Sequence, residues 1–468
     1  MGGYGSQHIL PCHIGNPLRR RILPLLLLIL VISSACALLD GPPQPIIPTP
    51  PPTIEARELG VAIPGETVFD PISDVLPTID PLIQALVDNV SQQQLMGYVQ
   101  TLQGFGTRNA FSKTDDPAVG IGAARQWLYD EFNRVGSGRL QVELDSFTMN
   151  YGGLETIQQN VVATLPGLAP TNDLIVVMAH YDTRREDDTD GTTRSPSADD
   201  NGSGVALLME SARLLSSQQW HQTVVFIAMA AEEQGSFGAR HYVKQLVLAG
   251  ANVLLAVNYD TVGGRLGIPQ SVRLFAPELN RSPHGAIGRY YDFMGEFYLP
   301  TFAVNIIDAA DREGRWGDQR EFVQAGLPAL RVTESVEDPD LLNSSLDVWD
   351  LIDYAYLQKV TRLNVAVIAN AAGAPAIPPI PVVAPMADPG SFILTWTVDP
   401  AASGYIISLR PENSGDYAPF RFVSGGQAGN VVLTGYDPGA TYQISLSALD
   451  DNGRVSLFSP EIRVSWSN

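Results

Sequence analysis

The chain has 468 residues, more than one typical domain needs, so we expect two or three folded units. Hydrophobic residues make up 45% of the chain and charged residues 17%, which is enough apolar material for a sizeable core. The formal net charge of −21 argues against a nucleic-acid partner, because phosphate binding depends on lysine and arginine. The two cysteines, Cys12 and Cys36, precede the globular region, so a metal there must bind to histidine and carboxylate groups.

Residues 1–36 have the pattern of an export signal. A basic segment precedes the apolar run 22–32, which is too short to span a bilayer comfortably. Small residues before Cys36 resemble a bacterial lipoprotein cleavage box, although Ser33 stands where an aliphatic residue is usual. We expect export, with a lipid on Cys36 as the one membrane contact; ordinary signal cleavage or a retained N-terminal anchor is the alternative. The Pro-rich linker 37–75 would then hold the next domain off the membrane.

The body, residues 76–372, alternates between helical and strand patterns. Helical spacing of apolar residues marks 81–102 and 120–135, and strand patterns follow at 139–149 and 159–165. Three buried strands are then predicted at 174–179, 223–230 and 253–257, with helices at 203–215 and 238–248 between them. Short apolar runs separated by helices indicate an α/β fold, in which helices cover both faces of a mixed, largely parallel sheet.

Charged residues follow each of these three strands. His180 ends the first, the pair Glu232-Glu233 follows the second, and Asp260 follows the third. Taken alone, a strand-end histidine is usually an ordinary hydrogen-bonded residue, and a glutamate pair is usually a solvated loop. In parallel sheets, however, ligands bind at the carboxyl ends of the strands, so the three coincidences together predict one site.

Histidine and carboxylates in this arrangement are the ligands that zinc requires. A first zinc would bind His180, Asp260 and one oxygen of Asp200, which lies in the acidic Gly-rich loop 197–204. The second oxygen of Asp200 would bridge to another zinc held by Glu233. Two zinc ions about 3.5–4 Å apart can share a water molecule and polarise a scissile carbonyl group.

Two further carboxylates have a natural role beside these ligands. Asp182 lies two residues after His180, which in a strand places both on one face, so Asp182 would bond the second ring nitrogen. Glu232 precedes the ligand Glu233 and is the natural general base, since it would move a proton from water to the leaving amine.

At this point the chain resembles a known family, the family-28 zinc metallopeptidases, which include di-zinc aminopeptidases and glutamate carboxypeptidases. The resemblance spans roughly residues 85–372 and lies in five segments, 179–182, 197–204, 230–240, 257–263 and 322–334. It implies a zinc exopeptidase fold, a peptide substrate and zinc as the cofactor. It also implies metal ligands and catalytic groups at the positions already derived, namely His180, Asp200 as the bridge, Glu233, Asp260, Glu232 as the base and Asp182 as the residue that orients the histidine.

One element of the family pattern is missing. Asn343 stands where the family has its last histidine ligand, and no histidine follows His284. An amide oxygen is a weaker zinc ligand than an imidazole. Three outcomes stay open: a second zinc held loosely by Asn343 or a nearby carboxylate (Asp338, Asp340), an enzyme with one zinc, or an inactive homologue. The family's Ser-Asp-His segment is likewise replaced, by Gly317-Asp-Gln319.

The leading functional interpretation is an exported zinc aminopeptidase that uses Glu232 as its base. Among enzymes, the alternative is a carboxypeptidase or an N-acyl amino-acid hydrolase on the same core. Among non-enzymes, it is a catalytically impaired homologue that binds at the cell surface. Aromatic residues in the poorly periodic segment 264–318 would line a specificity pocket or simply pack in the core; these are Tyr290, Tyr291, Phe293 and Trp316. The sequence carries no signal of oligomeric state.

The C-terminal part follows a Pro/Ala-rich linker, residues 373–385. Residues 386–468 contain short alternating runs separated by polar turns, which indicates a small all-β sandwich. Trp396 and the segment 436–453 resemble a fibronectin type III domain, which implies that Trp396 is a core residue. We expect this module to space or dock the enzyme rather than to perform chemistry.

Overall fold

A computed structural model describes residues 53–55, 78–418 and 420–465 of the chain. The predicted export signal with Cys36 lies outside these residues, as does all of the predicted linker 37–75 except the strand Thr53–Glu55. Within the described ranges, no helix combines the length and the apolar character needed to cross a membrane.

The described elements are numbered here in chain order. The helices are α1 (Pro81–Asp88), α2 (Gln92–Gly104), α3 (Ile121–Gly136), α4 (Gly204–Leu215), α5 (Phe237–Ala249), α6 (Pro283–Tyr298), α7 (Gln319–Gln324) and α8 (Tyr354–Gly373). After β1 (Thr53–Glu55), the strands of the body are β2 (Gln141–Tyr151), β3 (Leu154–Leu165), β4 (Asp173–His180), β5 (Thr223–Met229), β6 (Asn252–Tyr259), β7 (Ser271–Phe275), β8 (Ala303–Ile307) and β9 (Ala329–Glu334).

An eight-stranded sheet with the order β2-β3-β5-β4-β6-β9-β7-β8 forms the centre of the body. Its four middle strands, β5, β4, β6 and β9, run parallel, whereas β2 and β3 add an antiparallel hairpin at one edge. Alternate residues of β4 belong to different cores: Ile175 and Val177 pack on one face, Val176 and Met178 on the other. A strand buried on both faces must be apolar at every position, which explains its unbroken run. The mixed α/β class predicted from the sequence is confirmed.

Two stretches of the body differ from their predicted form. The helix predicted over 81–102 is divided into α1 and α2, because the chain leaves the helix after Asp88 and Ser91 caps the second helix through the Gln94 amide (3.3 Å). The poorly periodic segment 264–318 contains β7, α6 and β8, which the pattern did not predict.

Three of the four aromatic residues considered in that segment pack against other side chains, whereas Trp316 is largely exposed. Tyr290 and Tyr291 are fully buried, and Phe293 packs on Phe420 with ring centroids 4.7 Å apart. Trp316 is 53% exposed and lies against the Arg320 guanidinium group. None of the three on α6 is therefore free to line a specificity pocket.

The C-terminal part contains two small sheets. Its strands are β10 (Val382–Pro385), β11 (Phe392–Thr395), β12 (Gly404–Pro411), β13 (Arg421–Ser424), β14 (Asn430–Leu433), β15 (Thr441–Leu449) and β16 (Ile462–Ser465). One sheet has the order β10-β11-β14, and the other has the order β1-β16-β15-β12-β13. Trp396 lies in the core between them, with its ring 5.3 Å from that of Tyr405, as expected from the sequence.

A buried ionic cluster joins the C-terminal part to the body. Glu461, just before β16, accepts two hydrogen bonds from Arg410 of β12 (2.5 and 2.8 Å) and one from Arg289 of α6 (3.1 Å). Burial disfavours the charged carboxylate, but these two cations outweigh burial and hold the pKa of Glu461 below its usual value. The cluster therefore depends on Glu461, which faces two buried guanidinium groups.

We expect Glu461→Ala to lower the free energy of unfolding by about 3–5 kcal/mol, because it leaves Arg289 and Arg410 buried without a counter-charge. Glu412→Ala is the matched control; its pair with Arg463 is part-exposed and should contribute only about 0–1 kcal/mol. Urea unfolding at pH 7 measures both. Equal losses in the two variants would contradict the account.

The same cluster sets a pH dependence. Because the folded pKa of Glu461 is depressed, its stabilisation is fully present above the unfolded pKa, about 4.3, and is lost as pH falls through the folded value. The difference in unfolding free energy between the wild type and Glu461→Gln should therefore narrow below about pH 4. A difference that stays constant from pH 7 to pH 3 would show that the charge of Glu461 is not what stabilises the cluster.

Candidate active site

The carboxyl ends of three neighbouring parallel strands bring the predicted site residues together. β4 ends at His180, β5 leads into Glu232, and β6 leads into Asp260; β4 lies between the other two strands. Asp200 comes from an irregular turn, Ala198–Ser203, between β4 and α4, and its peptide bond to Asn201 is cis. Strand order therefore gathers residues that are up to 80 positions apart in the sequence into one cleft.

His180, Asp200 and Asp260 form a cluster that fits a metal ion. The Nε2 atom of His180 lies 3.3 Å from Oδ1 of Asp200 and 3.6 Å from Oδ1 of Asp260. One ligand atom from each residue lies within 4.8 Å of the other two. Tetrahedral zinc with bonds of about 2.0–2.1 Å places its ligand atoms about 3.3 Å apart, so both distances from His180 to the carboxylates are near what zinc needs. All three residues are buried.

Asp182 faces the ring nitrogen Nδ1 of His180, and its backbone carbonyl oxygen is nearer to that nitrogen than its carboxylate is. The Nδ1 atom lies 3.3 Å from the Asp182 carbonyl oxygen but 3.7 Å from Oδ1 of that residue. A carbonyl oxygen can only accept, so the tautomer that satisfies it carries the proton on Nδ1 and leaves Nε2 for a metal. The prediction that Asp182 shares a strand with His180 is wrong, because β4 ends at His180. The predicted contact of the Asp182 carboxylate with the histidine ring stays a prediction.

Asp182 also fixes the neighbouring glutamates. Its two carboxylate oxygens accept the backbone N–H groups of Glu232 (3.0 Å) and Glu233 (3.1 Å). Asp182 is fully buried, and burial raises its pKa while His180 and these amides oppose the rise. The residue therefore ties the end of β5 to the end of β4.

Glu232 lies beside the cluster without belonging to it. Its Oε2 atom is 4.0 Å from Nε2 of His180, and the residue is 9% exposed. Burial raises the pKa of Glu232 well above its usual value, and the charge of Glu233 adds to that rise against the opposing effect of His180. A carboxylate with a raised pKa next to a metal cluster suits proton transfer.

Glu233 is engaged by other groups and lies outside the three-residue cluster. Its Oε2 atom accepts a hydrogen bond from Nε of Arg184 at 2.6 Å. In the amide orientation that satisfies its neighbours, Asn343 donates to Oε1 of Glu233 (2.8 Å) and accepts from Arg184 (3.2 Å). The free oxygen of Asp200 faces Arg315 at 3.7 Å. The predicted ligands of the second zinc, Glu233 and Asp200, therefore face two arginine side chains and an amide.

Arg108, for which no role was predicted, holds the walls of the cleft. It is completely buried and donates to the carbonyl oxygens of Tyr181 (2.8 Å), Ser197 (2.9 Å), Leu102 (3.0 Å) and Pro196 (3.2 Å). Burial lowers its pKa to about 10, which still leaves it charged at neutral pH. It therefore fixes the segments next to His180 and Asp200.

Two more residues that were given no role support the metal ligands. Asp347 accepts the backbone N–H groups of Asp199 (2.7 Å) and Asp200 (3.0 Å), and so holds the turn that carries Asp200. Arg331 pairs with Oδ2 of Asp260 at 3.1 Å and leaves Oδ1 toward His180. Arg331 lies within 322–334, one of the segments that carry the family resemblance, and Asp347 lies four residues after Asn343. Their positions in the sequence were the available signal.

Asp318, in the segment Gly317-Asp-Gln319, is a further buried carboxyl group near the site. Neither of its oxygens has a hydrogen-bond partner among the described residues. Burial raises the pKa of Asp318 to about 8, against the opposing charge of His180. Gln319 takes part in a buried network with Asn258 and Asp311 instead of facing the metal cluster.

A parallel sheet that delivers histidine and carboxylates to one cleft, with a buried glutamate beside them, is the architecture of a metal-dependent hydrolase. Sequence comparison makes this more specific. The sequence model described as Peptidase family M28 matches residues 160–368. A "Probable zinc metalloprotease" of Pyricularia oryzae is 32% identical over 353 residues, covering 67% of this chain and 70% of that protein. Another, from Leptosphaeria maculans, is 31% identical, covering 65% and 79%.

Solved structures share the fold. LapB from Legionella pneumophila superposes with a TM-score of 0.51 at 21% identity, covering 63% of this chain and 75% of that one. The LapA aminopeptidase from the same organism gives 0.52 at 20% identity, covering 64% and 78%. The chain belongs to Peptidase family M28 and is a zinc metallopeptidase.

We expect Asp182→Asn to weaken zinc binding about 10–100-fold, because the amide nitrogen would face a backbone N–H donor and loosen the end of β5. The measurement is the zinc dissociation constant in competition with a chelator. Asp115→Asn, on an exposed loop, is the control and should match the wild type. Unchanged affinity in Asp182→Asn would show that the two amide contacts do not support the metal cluster.

Proposed function

We propose that this chain is an exported zinc-dependent aminopeptidase that removes residues from peptide N-termini. The observation that carries the proposal is the position of Glu232, which lies 4.0 Å from the metal-facing nitrogen of His180 while the cluster itself is formed by other residues. A carboxylate that is not needed as a ligand is free to act as a base.

Zinc bound at His180, Asp200 and Asp260 would lower the pKa of a water molecule and polarise the scissile carbonyl group. Glu232 would accept the proton of the attacking water and deliver it to the leaving amine nitrogen. Asp182 holds the backbone of Glu232 in place, so the base starts close to where the proton must be taken up. The raised pKa of Glu232 suits the second of these transfers, in which it acts as an acid.

The net charge of −21 favours a substrate with a free, positively charged amine. The LapA structure, which shares the fold, is that of an aminopeptidase. These two observations support the aminopeptidase over the other specificities.

One observation favours a second candidate, a carboxypeptidase or N-acyl amino-acid hydrolase. The side chain of Arg315 is 35% exposed beside Asp200, and a part-exposed guanidinium group at a metal site can pair with a substrate carboxylate. A panel of aminoacyl p-nitroanilides, N-acetylamino acids and C-terminally free peptides separates the candidates. We expect turnover of the aminoacyl p-nitroanilides and none of the N-acetylamino acids.

We expect Glu232→Gln to lower kcat by about 10²–10⁴-fold while zinc stays bound, because the amide cannot accept the proton. Glu186→Gln, on an exposed loop, is the control and should leave kcat unchanged. Aminoacyl p-nitroanilide turnover measures kcat, and metal analysis of the same samples measures zinc. Near wild-type kcat in Glu232→Gln would refute the assigned base.

For the whole chain we propose a secreted or cell-surface lipoprotein with one domain at 76–372 and a second that begins with β10 at Val382, within the predicted linker 373–385, and continues through 386–468. The core around Trp396 supports a fibronectin type III-like module for the second, and its ionic cluster at Glu461 supports a docking role. The small residues before Cys36 support lipid attachment.

In a bacterial host, we expect the chain to incorporate radiolabelled palmitate and Cys36→Ser to lose the label. Cys12→Ser is the matched control and should keep it. Equal labelling of Cys36→Ser and the wild type would refute attachment at this position.

A further inference from the structure

We propose that this peptidase binds one zinc ion per chain, and that Arg184 occupies the role of a second metal by neutralising Glu233. The inference rests on the zinc-dependent function proposed above, but its test counts metal ions rather than turnover. It concerns the group defined here as the Glu233 triad, which consists of Glu233, Arg184 and Asn343.

Both carboxylate oxygens of Glu233 already accept hydrogen bonds from other side chains. Oε2 accepts from Arg184 at 2.6 Å, a short charge-assisted hydrogen bond, and Oε1 accepts from Asn343 at 2.8 Å. The side chain of Glu233 is only 6% exposed. A metal at this position would have to displace both partners from a buried carboxylate.

Two arginine side chains bring positive charge to the position that a second metal would take. Arg184 brings a fixed positive charge that cannot be removed at neutral pH, and it neutralises the negative charge that a metal would need. The other oxygen that would bridge to a second metal, Oδ2 of Asp200, lies 3.7 Å from the guanidinium group of Arg315. A divalent cation between these two carboxylates would therefore meet two cations.

Asn343 contacts both Glu233 and Arg184, and it suits that pair better than it suits a metal. A histidine at this position would offer a nitrogen ligand to a metal, whereas the amide offers one donor and one acceptor that match Glu233 and Arg184. The asparagine thus completes the ion pair instead of a metal site. The residues at the second position do not fit zinc, whereas those at His180, Asp200 and Asp260 do.

Because Arg184 pairs with Glu233, the single substitution Asn343→His should not create a second metal site. Asn343 has a φ of 56°, a left-handed conformation that histidine also adopts more often than most residues, so Asn343→His fits the backbone. Arg184 would still occupy Glu233 in that variant. We therefore expect Asn343→His alone to bind one zinc, and Arg184→Ala/Asn343→His to bind two.

Two measurements test the inference. Protein equilibrated with zinc sulfate and freed of loose metal is analysed for zinc by mass spectrometry, and the apoprotein is titrated with cobalt chloride while the visible absorption is followed. The wild type should retain one zinc and saturate at one equivalent of cobalt. Arg194→Ala, an exposed arginine on the same loop, is the control and should behave as the wild type.

Two tightly bound zinc ions in the wild type, or two equivalents of cobalt, would overturn the inference. So would a double variant that keeps its circular dichroism spectrum and still binds one zinc. If the double variant does not fold, the cobalt titration of the wild type still decides. One bound zinc without any peptidase turnover would support the metal count and contradict only the proposed function; no bound zinc would contradict both.

Discussion

The site depends on the parallel pairing of β4 with β5 and β6. Because hydrogen-bonded parallel strands end at the same edge of the sheet, the residues that follow them must share one cleft. The side chain of His180 therefore lies beside those of Glu232 and Asp260, although the three residues are far apart in the sequence. Asp182 strengthens the arrangement, since its carboxylate joins the end of β4 to the backbone at the end of β5. Chemistry at this edge follows from strand order more than from any single side chain.

Charge balance is the second constraint. The cleft buries Asp200, Asp260, Glu232 and Glu233, and burying an ionised carboxylate without a partner costs several kcal/mol. Arg331 offsets Asp260 and Arg184 offsets Glu233. The remaining negative charge lies around His180, whose pKa is raised well above its usual value because the charges of Glu232, Asp200 and Asp260 outweigh burial. The excess of negative charge is thus concentrated where one divalent cation fits.

The sequence predicted the elements whose pattern comes from burial on both faces, such as β4 and β5, because every position there must be apolar. It also predicted the three residues of the metal cluster, because His180 ends β4, Asp260 follows β6 and Asp200 lies in the acidic Gly-rich loop 197–204. It did not predict β8, whose five residues are half-exposed or exposed and show no clean alternation. Nor did it assign Arg108, Arg184 or Arg331, since a charged residue looks solvated in a sequence until tertiary contacts bury it. The sequence placed Asp182 in one strand with His180, because the end of β4 could not be located to within two residues.

We infer that the cleft holds one metal ion and that Arg184 takes the place of another. Diffraction at the zinc absorption edge, from crystals grown with excess zinc, tests it most directly. We expect one anomalous peak within bonding distance of His180, Asp200 and Asp260, with Arg184 still paired to Glu233. A second peak about 3.5–4 Å from the first, bonded to Glu233 with Arg184 turned away, would contradict it.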